Sequence, residues 1–347
     1  MAVVMSALVL LLAACGGDSG SEGEGDSAGG SSDEWLFITE ETGEQVQMQY
    51  ANEFKKRIEE KSGGEITVTT YEFGGLGSET DQVEQLQNGA VQLAVTSPGF
   101  IGNTVKESQI FGLHFLFPDD VAKTQQILEE SEAINTDLVK QYEAIGLEPL
   151  AFWTEGGMQW TSNKPVDSPD DFENFKMRIQ GTELQSESWE AYGATPQTMS
   201  WGDLYTGLEN GTVDGQDNPI FFIADASFHE VQDYMTLSNH NNYVATTTVN
   251  QEWYDGLSDQ HKTWVDETVE ELQDWIFEEQ KRQNEEFLEE IKEEAEVVEL
   301  TDEQRAEFRE LAKPVRDFYR ENVSTVDGAI LDKLEKEIAE ITGEPVE

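Results

Sequence analysis

The sequence predicts an α/β fold arranged in two domains. Between residues 35 and 96, short apolar or β-branched runs alternate with amphipathic helical patterns in the order βαβαβ. The predicted strands are 35–39, 66–73 and 91–96, and the helices between them are 43–61 and 80–89. This order is typical of a parallel sheet with crossover helices. At 347 residues, the chain is also long enough for about two domains.

The rest of the chain continues the alternation. The predicted elements are a helix at 121–145, strands at 147–154 and 160–162 around a turn at 155–157, the start of a second domain at 165–169, a strand at 175–179, helices at 183–192 and 202–210, a strand-rich segment at 236–250, a long acidic helix at 257–294, and helices at 303–319 and 325–341. The strand-rich segment is expected to return to the first domain. The prediction of the long helix rests on one apolar face, formed by Val265, Val269, Leu272 and Ile276.

A parallel sheet also predicts where a ligand binds, because ligands lie at the carboxyl ends of its strands. Those ends place Thr39-Glu40-Glu41, Phe73-Gly74-Gly75 and Ser97-Pro98-Gly99-Phe100 around one crevice.

The charge balance is strongly acidic, with 72 Asp and Glu against 21 Lys and Arg and a net charge of −51. Such a surface repels nucleic acid and anionic lipid, which bind through clusters of basic residues. We interpret the charge as an adaptation to high salt, where screening removes most of the self-repulsion. Disorder fits poorly, because aromatic and apolar residues recur along the chain.

The first residues are typical of an exported protein. Residues 1–14 contain an apolar run that is too short to span a bilayer and that we interpret as an export signal. It ends at Leu12-Ala13-Ala14-Cys15, which resembles a lipobox, so Cys15 is predicted to carry a lipid anchor. The alternative is a buried apolar helix with an incidental cysteine. Residues 15–33 are predicted to be a flexible linker, since 16–33 are Gly, Ser, Asp and Glu apart from Ala28.

Motifs of enzymatic catalysis are missing from the sequence. There is no Gly-x-Ser-x-Gly, no P-loop, no Gly-x-Gly-x-x-Gly after a strand and no His-Glu-x-x-His. The four histidines show no metal-ligand spacing, and the single cysteine excludes a Cys-based zinc site. We therefore predict no enzyme, no cofactor and no metal.

The candidate site is instead one for binding. Arg178 ends an apolar strand, where an unpaired guanidinium is costly, so it has either an internal carboxylate partner or a ligand carboxylate. Asn218 precedes Pro219 and is expected to offer a fixed amide on a turn, although it could be a local Asx turn. Trp201 and Phe100 lie in predicted turns beside small residues, where an aromatic belongs either to the core or to a ligand-binding wall.

At these residues the sequence resembles the extracytoplasmic solute receptors of TRAP transporters, the family of the dicarboxylate receptor. The resemblance covers about residues 35 to 319. It rests on segments in family order: 61–66, 75–78, Arg178 in Lys-Met-Arg-Ile, 193–196, 201–205, 214–219, 230–232 and 237–240.

The resemblance implies a two-lobe fold like that of periplasmic binding proteins, with a long helix spanning both lobes. It places lobe 1 at 34–160 with part of 236–347 returning to it, lobe 2 at 161–235, the spanning helix at 257–294 and C-terminal helices at 303–347. It also implies closure of the lobes on a ligand whose carboxylate is held by Arg178, assisted by Asn218. The expected partners are a small-molecule ligand and the membrane permease, which is driven by an ion gradient.

One departure from the family pattern points to the ligand. Many members carry a second arginine where this sequence has Met158, so a dianionic ligand is less favoured here. Other segments resemble the ectoine-binding branch, in which a glutamate at the position of Glu40 and three aromatic residues hold the ring of the ligand. In this sequence the predicted substrate-binding residues are Arg178, Asn218, Glu40, Phe100, Trp201, Phe222 (or Phe221) and Glu155.

Ectoine has one carboxylate, which suits Arg178, and one delocalised amidinium, which suits Glu40 and aromatic walls. Ectoine, hydroxyectoine or a similar zwitterion is therefore the predicted ligand. The alternatives are a receptor for a small hydroxy or keto monocarboxylate and, in a different class, a surface-anchored enzyme.

Overall fold

The computed structural model describes residues 33–346. The predicted export signal, the lipidation of Cys15 and nearly all of the linker lie outside these residues. Within residues 33–346, none of the helices combines the length and the apolar character needed to span a bilayer.

The described residues form eleven strands in two sheets and twelve α-helices, besides short 3₁₀ and π turns. The strands are β1 Asp33–Ile38, β2 Ile66–Tyr71, β3 Leu93–Thr96, β4 Leu147–Gly157, β5 Gln159–Ser162, β6 Lys176–Ile179, β7 Thr195–Thr198, β8 Gly215–Asn218, β9 Tyr234–Leu237, β10 Asn242–Asn250 and β11 Glu296–Glu299. The helices are α1 Val46–Lys61, α2 Glu79–Gln87, α3 Pro98–Ile101, α4 Val121–Glu130, α5 Val139–Glu143, α6 Glu183–Glu190, α7 Trp201–Glu209, α8 Ile220–Asp225, α9 Gln251–Gly256, α10 Asp259–Glu294, α11 Asp302–Phe318 and α12 Ala329–Thr342.

The first lobe is built on the sheet with strand order β2-β1-β3-β10-β4. Strand β1 pairs in parallel with both β2 and β3, as the βαβαβ pattern predicts. Strand β10 then pairs antiparallel with β3 and β4, so the sheet as a whole is mixed. The sequence pattern predicted three parallel strands and did not indicate this antiparallel half.

The second lobe is built on the sheet with strand order β11-β9-β5-β8-β6-β7. Its strands β7, β8 and β11 were not predicted, because their sequences, Thr-Pro-Gln-Thr, Gly-Gln-Asp-Asn and Glu-Val-Val-Glu, are mostly polar and show no alternation of apolar and polar residues. The segment predicted as strand-rich, 236–250, divides between the lobes. It supplies the end of β9 to the second sheet and all of β10 to the first.

Three segments connect the two sheets. The chain leaves the first sheet after β4 and enters the second at β5, and it returns between β9 and β10. The third connection is α10, which has 36 residues and leads into β11. Helix α10 buries Val265, Val269, Leu272 and Ile276, so the predicted long helix and its apolar face are confirmed.

The predicted helix at 121–145 is wrong in one respect, because the chain breaks it at Ser131. Ser131 has an extended backbone, with ψ near 121°, and its hydroxyl accepts a hydrogen bond from the Ile134 N–H at 3.2 Å. The Ser131 hydroxyl also donates to Glu337 of α12. A serine that caps a new helical turn ends one helix and begins another, and the second part starts as a π turn at Ala133–Leu138.

The predicted turn at residues 155–157 is also wrong, because β4 continues through Gly157. Gly156 has φ of +107°, and the pairing with β10 shifts register between Tyr243 and Val244. The glycine therefore forms a bulge inside a strand, which bends the strand without ending it.

Candidate functional site

A cleft lies between the two lobes, and several side chains close it from both sides. The Gln180 Nε2 group, after β6, donates to Ser97 Oγ at 3.3 Å. The Trp201 N–H, at the start of α7, donates to Glu79 Oε1 at 3.1 Å, and Gln45 Nε2 donates to Asp225 at 2.7 Å. These contacts join first-lobe elements to second-lobe elements, so the structure describes the closed arrangement.

Arg178 lies inside β6 and is 3% exposed. Its Nε group donates to the carbonyl oxygen of Met199 at 3.0 Å. Within residues 33–346, no carboxylate forms an ion pair with Arg178. Burial lowers the pKa of the guanidinium, while Asp217 and Glu79 act in the opposite direction from a distance. The arginine is therefore a buried cation whose forked end is available to a planar anion.

Asn218 lies at the end of β8, not on the predicted turn, and α8 begins two residues later. Its Nδ2 group donates to Gln216 Oε1. The neighbouring strand residues Met177, Ile179 and Trp160 point into one core cluster, and Trp160 pairs with Asp217. Since side chains alternate along a strand, Arg178 and Asn218 project from the opposite face, on the side of α7.

Two of the predicted aromatic residues meet. The rings of Trp201 and Phe222 are 4.9 Å apart between centroids in a T-shaped contact. Trp201 is the first residue of α7 and Phe222 lies in α8, so neither is in a loop. Phe222 also contacts Tyr243, at 5.8 Å between centroids. These three rings form one continuous wall.

The other two predicted aromatics are placed differently. Phe221 is fully buried, and within the described chain its single ring contact is with Phe222. It belongs to the core under α10, where its N–H donates to Asn284. Phe100 is half-buried in the short helix α3, not in the predicted turn, and within residues 33–346 it makes no ring contact.

Glu40 follows β1 and is 5% exposed. Its Oε1 atom accepts from the Ser97 N–H at 3.1 Å, while its Oε2 atom is buried without a hydrogen-bond partner in the described chain. Burial raises the pKa of Glu40 well above its usual range, and Glu79 and Glu155 raise it further. The prediction that the ends of β1 and β3 share one crevice agrees with the Glu40–Ser97 hydrogen bond.

Glu155 is fully buried in β4, and its Oε1 atom accepts from Gln47 Nε2 at 3.0 Å. Glu41, also fully buried, lies beside it and accepts from the Gln47 N–H at 2.6 Å. Burial raises the pKa of Glu155 to about 8. The structure thus brings Glu155 together with Glu40 in one acidic group.

Tyr243 was not predicted as a site residue, yet it joins the two halves of the cleft. It is 7% exposed, and burial raises the pKa of its hydroxyl well above the usual range, as do Glu40 and Glu155. It also interacts electrostatically with Arg178. Only its place in a buried central strand distinguishes it, and the sequence did not reveal that β10 is central.

The remaining ionisable groups do not suggest a metal site. Within residues 33–346, no group of three or more His, Cys, Asp or Glu side chains could hold a metal ion. His114 is buried, bonds to the Tyr192 hydroxyl at 2.9 Å and contacts the ring of His240. These histidines belong to the core of the second lobe.

Comparison with known proteins identifies the family. The model of the bacterial extracellular solute-binding proteins, family 7 (DctP), matches residues 37–322. This chain belongs to that family, the receptors of TRAP transporters. The receptor is therefore an extracytoplasmic solute-binding protein and not an enzyme, as predicted.

Similar proteins include two named for ectoine. The receptor is 39% identical to the ectoine-binding periplasmic protein TeaA of Halomonas elongata over 68% of this chain and 69% of the relative. It is 38% identical to the ectoine/5-hydroxyectoine-binding periplasmic protein UehA of Ruegeria pomeroyi, over 65% of this chain and 66% of the relative.

Solved structures confirm the two-lobe fold. The periplasmic ectoine-binding protein of the TeaABC transporter of Halomonas elongata superposes with a TM-score of 0.86 at 36% identity, covering 89% of this chain and 100% of that one. A TRAP solute-binding protein of Desulfovibrio salexigens with bound orotic acid has a TM-score of 0.84 at 26% identity, covering 89% and 99%. The family thus uses one fold for chemically different ligands.

Proposed function

We propose that the receptor captures ectoine, hydroxyectoine or a similar small zwitterionic carboxylate and delivers it to a TRAP permease in the membrane. The observation that carries the proposal is a pair of buried ionisable groups, one on each side of the cleft, that lack ion-pair partners within the described chain. Arg178 is a buried cation that forms no ion pair within the described chain, and Glu40 is a buried carboxyl with one unpaired oxygen. A zwitterion supplies both missing partners at once.

In this proposal, Arg178 binds the ligand carboxylate through its forked guanidinium, and Asn218 adds a hydrogen bond from the same face of the sheet. A buried charge of either sign is costly when it is alone and is stabilised by a well-oriented opposite charge. Ligand binding would therefore offset the free-energy cost of the unpaired, buried Arg178 in the ligand-free receptor.

The cationic ring of the ligand would lie between Glu40 and the wall formed by Trp201, Phe222 and Tyr243. A delocalised cation over an aromatic face gains about 0.5–2 kcal/mol per ring, most when water is excluded. Phe100 is half-buried at the rim, beside Gly99, which lies against Gln180. Its proposed role is to cover the ligand when the lobes close.

Met158 supports a ligand with a single anionic group. It is 8% exposed, packs in one core cluster with Phe222 and Tyr243, and lines a cavity whose wall also contains Tyr243 and Asp217, so no second arginine is available at this point. A dianion would bury one carboxylate near Asp217 without a cation, which opposes binding.

The proposed lipid anchor on Cys15 would hold the receptor at the outer face of the membrane, near the permease. Its residues lie outside the described part of the chain, so this element rests on the lipobox sequence alone.

Isothermal titration calorimetry of the purified receptor tests the ligand. Ectoine should bind with a dissociation constant of about 1 μM or below, as is usual for a preorganised site with two buried charges. Lactate, pyruvate and succinate should each bind at least about 100-fold more weakly, since none supplies the cation that Glu40 lacks. Tight binding of lactate or pyruvate with no heat from ectoine would overturn the proposal and favour the monocarboxylate alternative.

A further inference from the structure

Three carboxyl groups lie together beneath the cleft. Glu40 and Glu41 follow β1, and Glu155 comes from β4; they are 5%, 0% and 0% exposed. Each keeps one buried oxygen without a hydrogen-bond partner within residues 33–346, namely Glu40 Oε2, Glu41 Oε1 and Glu155 Oε2. None of the three forms an ion pair within the same residues. The group thus has more carboxyl oxygen atoms than the surrounding hydrogen-bond donors can satisfy.

Gln47 of α1 organises the group. Its backbone N–H donates to Glu41 at 2.6 Å, its Nε2 group donates to Glu155 at 3.0 Å, and its Oε1 atom accepts from the Glu40 N–H at 3.0 Å. This one residue fixes all three glutamates. Within residues 33–346, no donor reaches the second oxygen of Glu41 or of Glu155, so one proton shared between the two carboxyls would reduce this deficit.

The elements that pack around Glu41 and Glu155 bring amides and a phenol but no cation. Helix α10 contributes Gln280 and Asn284, which lie against Gly156, and Asn284 donates to the Glu155 carbonyl oxygen at 2.8 Å. Strand β10 contributes Tyr243. The neighbouring ionisable groups are Glu40 and Glu79, and the charge of Glu79 acts on Glu40. Three adjacent carboxylates in such a setting cannot all be ionised, because each charge is poorly solvated and repels the others.

The positions of the three carboxyls divide them into two kinds. Glu41 and Glu155 are bridged by Gln47, which donates to both carboxyls, and burial followed by the charge of Glu155 raises the pKa of Glu41 well above its usual range. Glu40 accepts from the Ser97 N–H on the cleft side, which favours its ionised form. Glu40 can therefore release its proton to solvent when a cationic ligand binds, while the pair behind it keeps one.

We infer that Glu41 and Glu155 form a proton-sharing pair behind Glu40, so that Glu40 alone changes its charge when the ligand binds. This inference rests on the proposed function for the identity of the cation, but not for the existence of the pair. When the cation binds, the Glu40 carboxyl becomes a carboxylate and its proton leaves to solvent. The pair keeps its proton throughout.

Infrared spectroscopy of the carboxylic-acid C=O stretch at pH 7 tests this inference, because surface carboxyls with pKa values of about 4 are ionised there and do not contribute. The ligand-free receptor should show the acid band. Saturation with ectoine should reduce the band without removing it, and calorimetry in two buffers of different ionisation heat should show net proton release. In Glu40→Gln, the ligand-free band should shrink and the residual band of the pair should stay.

The double variant Glu41→Gln/Glu155→Gln should lose the residual band of the ectoine-loaded receptor. If that variant does not fold, the acid band of the ectoine-loaded wild-type receptor is the deciding measurement. The inference assigns this residual band to Glu41 and Glu155 alone. The inference is overturned if the loaded wild-type receptor shows no acid band at pH 7, or if the double variant keeps it. If ectoine does not bind at all, the proposed ligand fails, and the ligand-free spectra of the wild type and the double variant still decide whether the pair exists.

Discussion

At the scale of single residues, the receptor contains two buried arginines in opposite situations. Arg178 forms no ion pair within the described chain, whereas Arg316 of α11 pairs with Glu335 at 3.7 Å and donates to the Phe115 carbonyl oxygen at 3.0 Å. A buried cation that the protein itself satisfies stabilises the fold, and one that the protein leaves open is costly until a ligand arrives. The same substitution at each of the two arginines should therefore have opposite effects on stability.

We predict that Arg178→Met lowers ectoine affinity by at least about 30-fold, because removing one partner of a buried charge pair costs about 2–5 kcal/mol. Its melting temperature without ligand should stay the same or rise, since the unpaired guanidinium disappears. Arg316→Met should instead lower the melting temperature. Calorimetry and thermal unfolding measure both effects, and an Arg178→Met variant with full affinity and reduced stability would show that Arg178 has a structural role.

The site could be predicted from the sequence only where chemistry made a residue unusual. Arg178 was proposed because a cation at the end of an apolar strand needs an explanation. The end of the first strand indicated Glu40 and Glu41 together, and the resemblance to the ectoine-binding branch singled out Glu40. Tyr243 was missed, because a tyrosine in a β-branched segment is ordinary, and its function depends on β10 lying between β3 and β4. Phe221 and Phe222 are adjacent, and only three-dimensional packing distinguishes the core residue from the cleft residue.

At the scale of secondary-structure elements, helix α3 approaches the second lobe very closely. A Cβ atom on Gly99 would lie 1.6 Å from Gln180 Oε1 and 2.8 Å from Gln180 Cβ. The backbone of α3 can meet Gln180 only because residue 99 has no side chain. Gly99 is thus needed for closure and not for the fold of its own lobe.

Replacing this glycine should therefore act on closure. We predict that Gly99→Ala weakens ectoine binding by at least about 10-fold, a cost of roughly 1.4 kcal/mol, with little change in melting temperature without ligand. Small-angle scattering with saturating ectoine should show a more open receptor than the wild type. The double variant Gly99→Ala/Gln180→Gly should recover most of the affinity, because it removes both the Gln180 amide and the Gln180 Cβ atom from the contact. Failure to do so would mean that the contact does not limit closure.

Elements were predictable where they were long. The α1, α10 and α11 patterns run over several turns, and their predicted and observed bounds differ by three residues or fewer. The break at Ser131 was not visible, because it depends on Glu337, which lies about two hundred residues further along the chain. Strands β7, β8 and β11 are held by their neighbours in the sheet, a tertiary effect that a local pattern does not contain.

At the scale of the whole molecule, the net charge of −51 dominates. Most ion pairs are on the surface, such as Lys61 with Glu267 and Glu271, and exposed pairs contribute little. With 72 acidic and 21 basic residues, most carboxylates have no cation to pair with. Mutual repulsion then opposes the compact state when salt is low.

We predict that added salt stabilises the receptor. The melting temperature should rise by at least about 5 °C between 0.05 and 2 M NaCl, which corresponds to roughly 3–4 kcal/mol for a chain of this size. KCl should have a similar effect, because screening does not depend on the identity of the cation, and sucrose at equal osmolality should have a smaller one. A melting temperature that is flat or falls with NaCl would contradict the interpretation as an adaptation to salt.

The position of β10 also determines the order in which the receptor can assemble. Strand β10 separates β3 from β4 in the first sheet, yet it ends at Asn250, after most of the second sheet has appeared in the chain. Until this strand arrives, β3 and β4 each have an open edge, and the non-local pairing that joins them cannot form. A nascent chain that has not reached residue 250 therefore cannot complete the first sheet, although five strands of the second sheet are already present in it. The sheet that the chain begins first is thus finished only after most strands of the other sheet have been made.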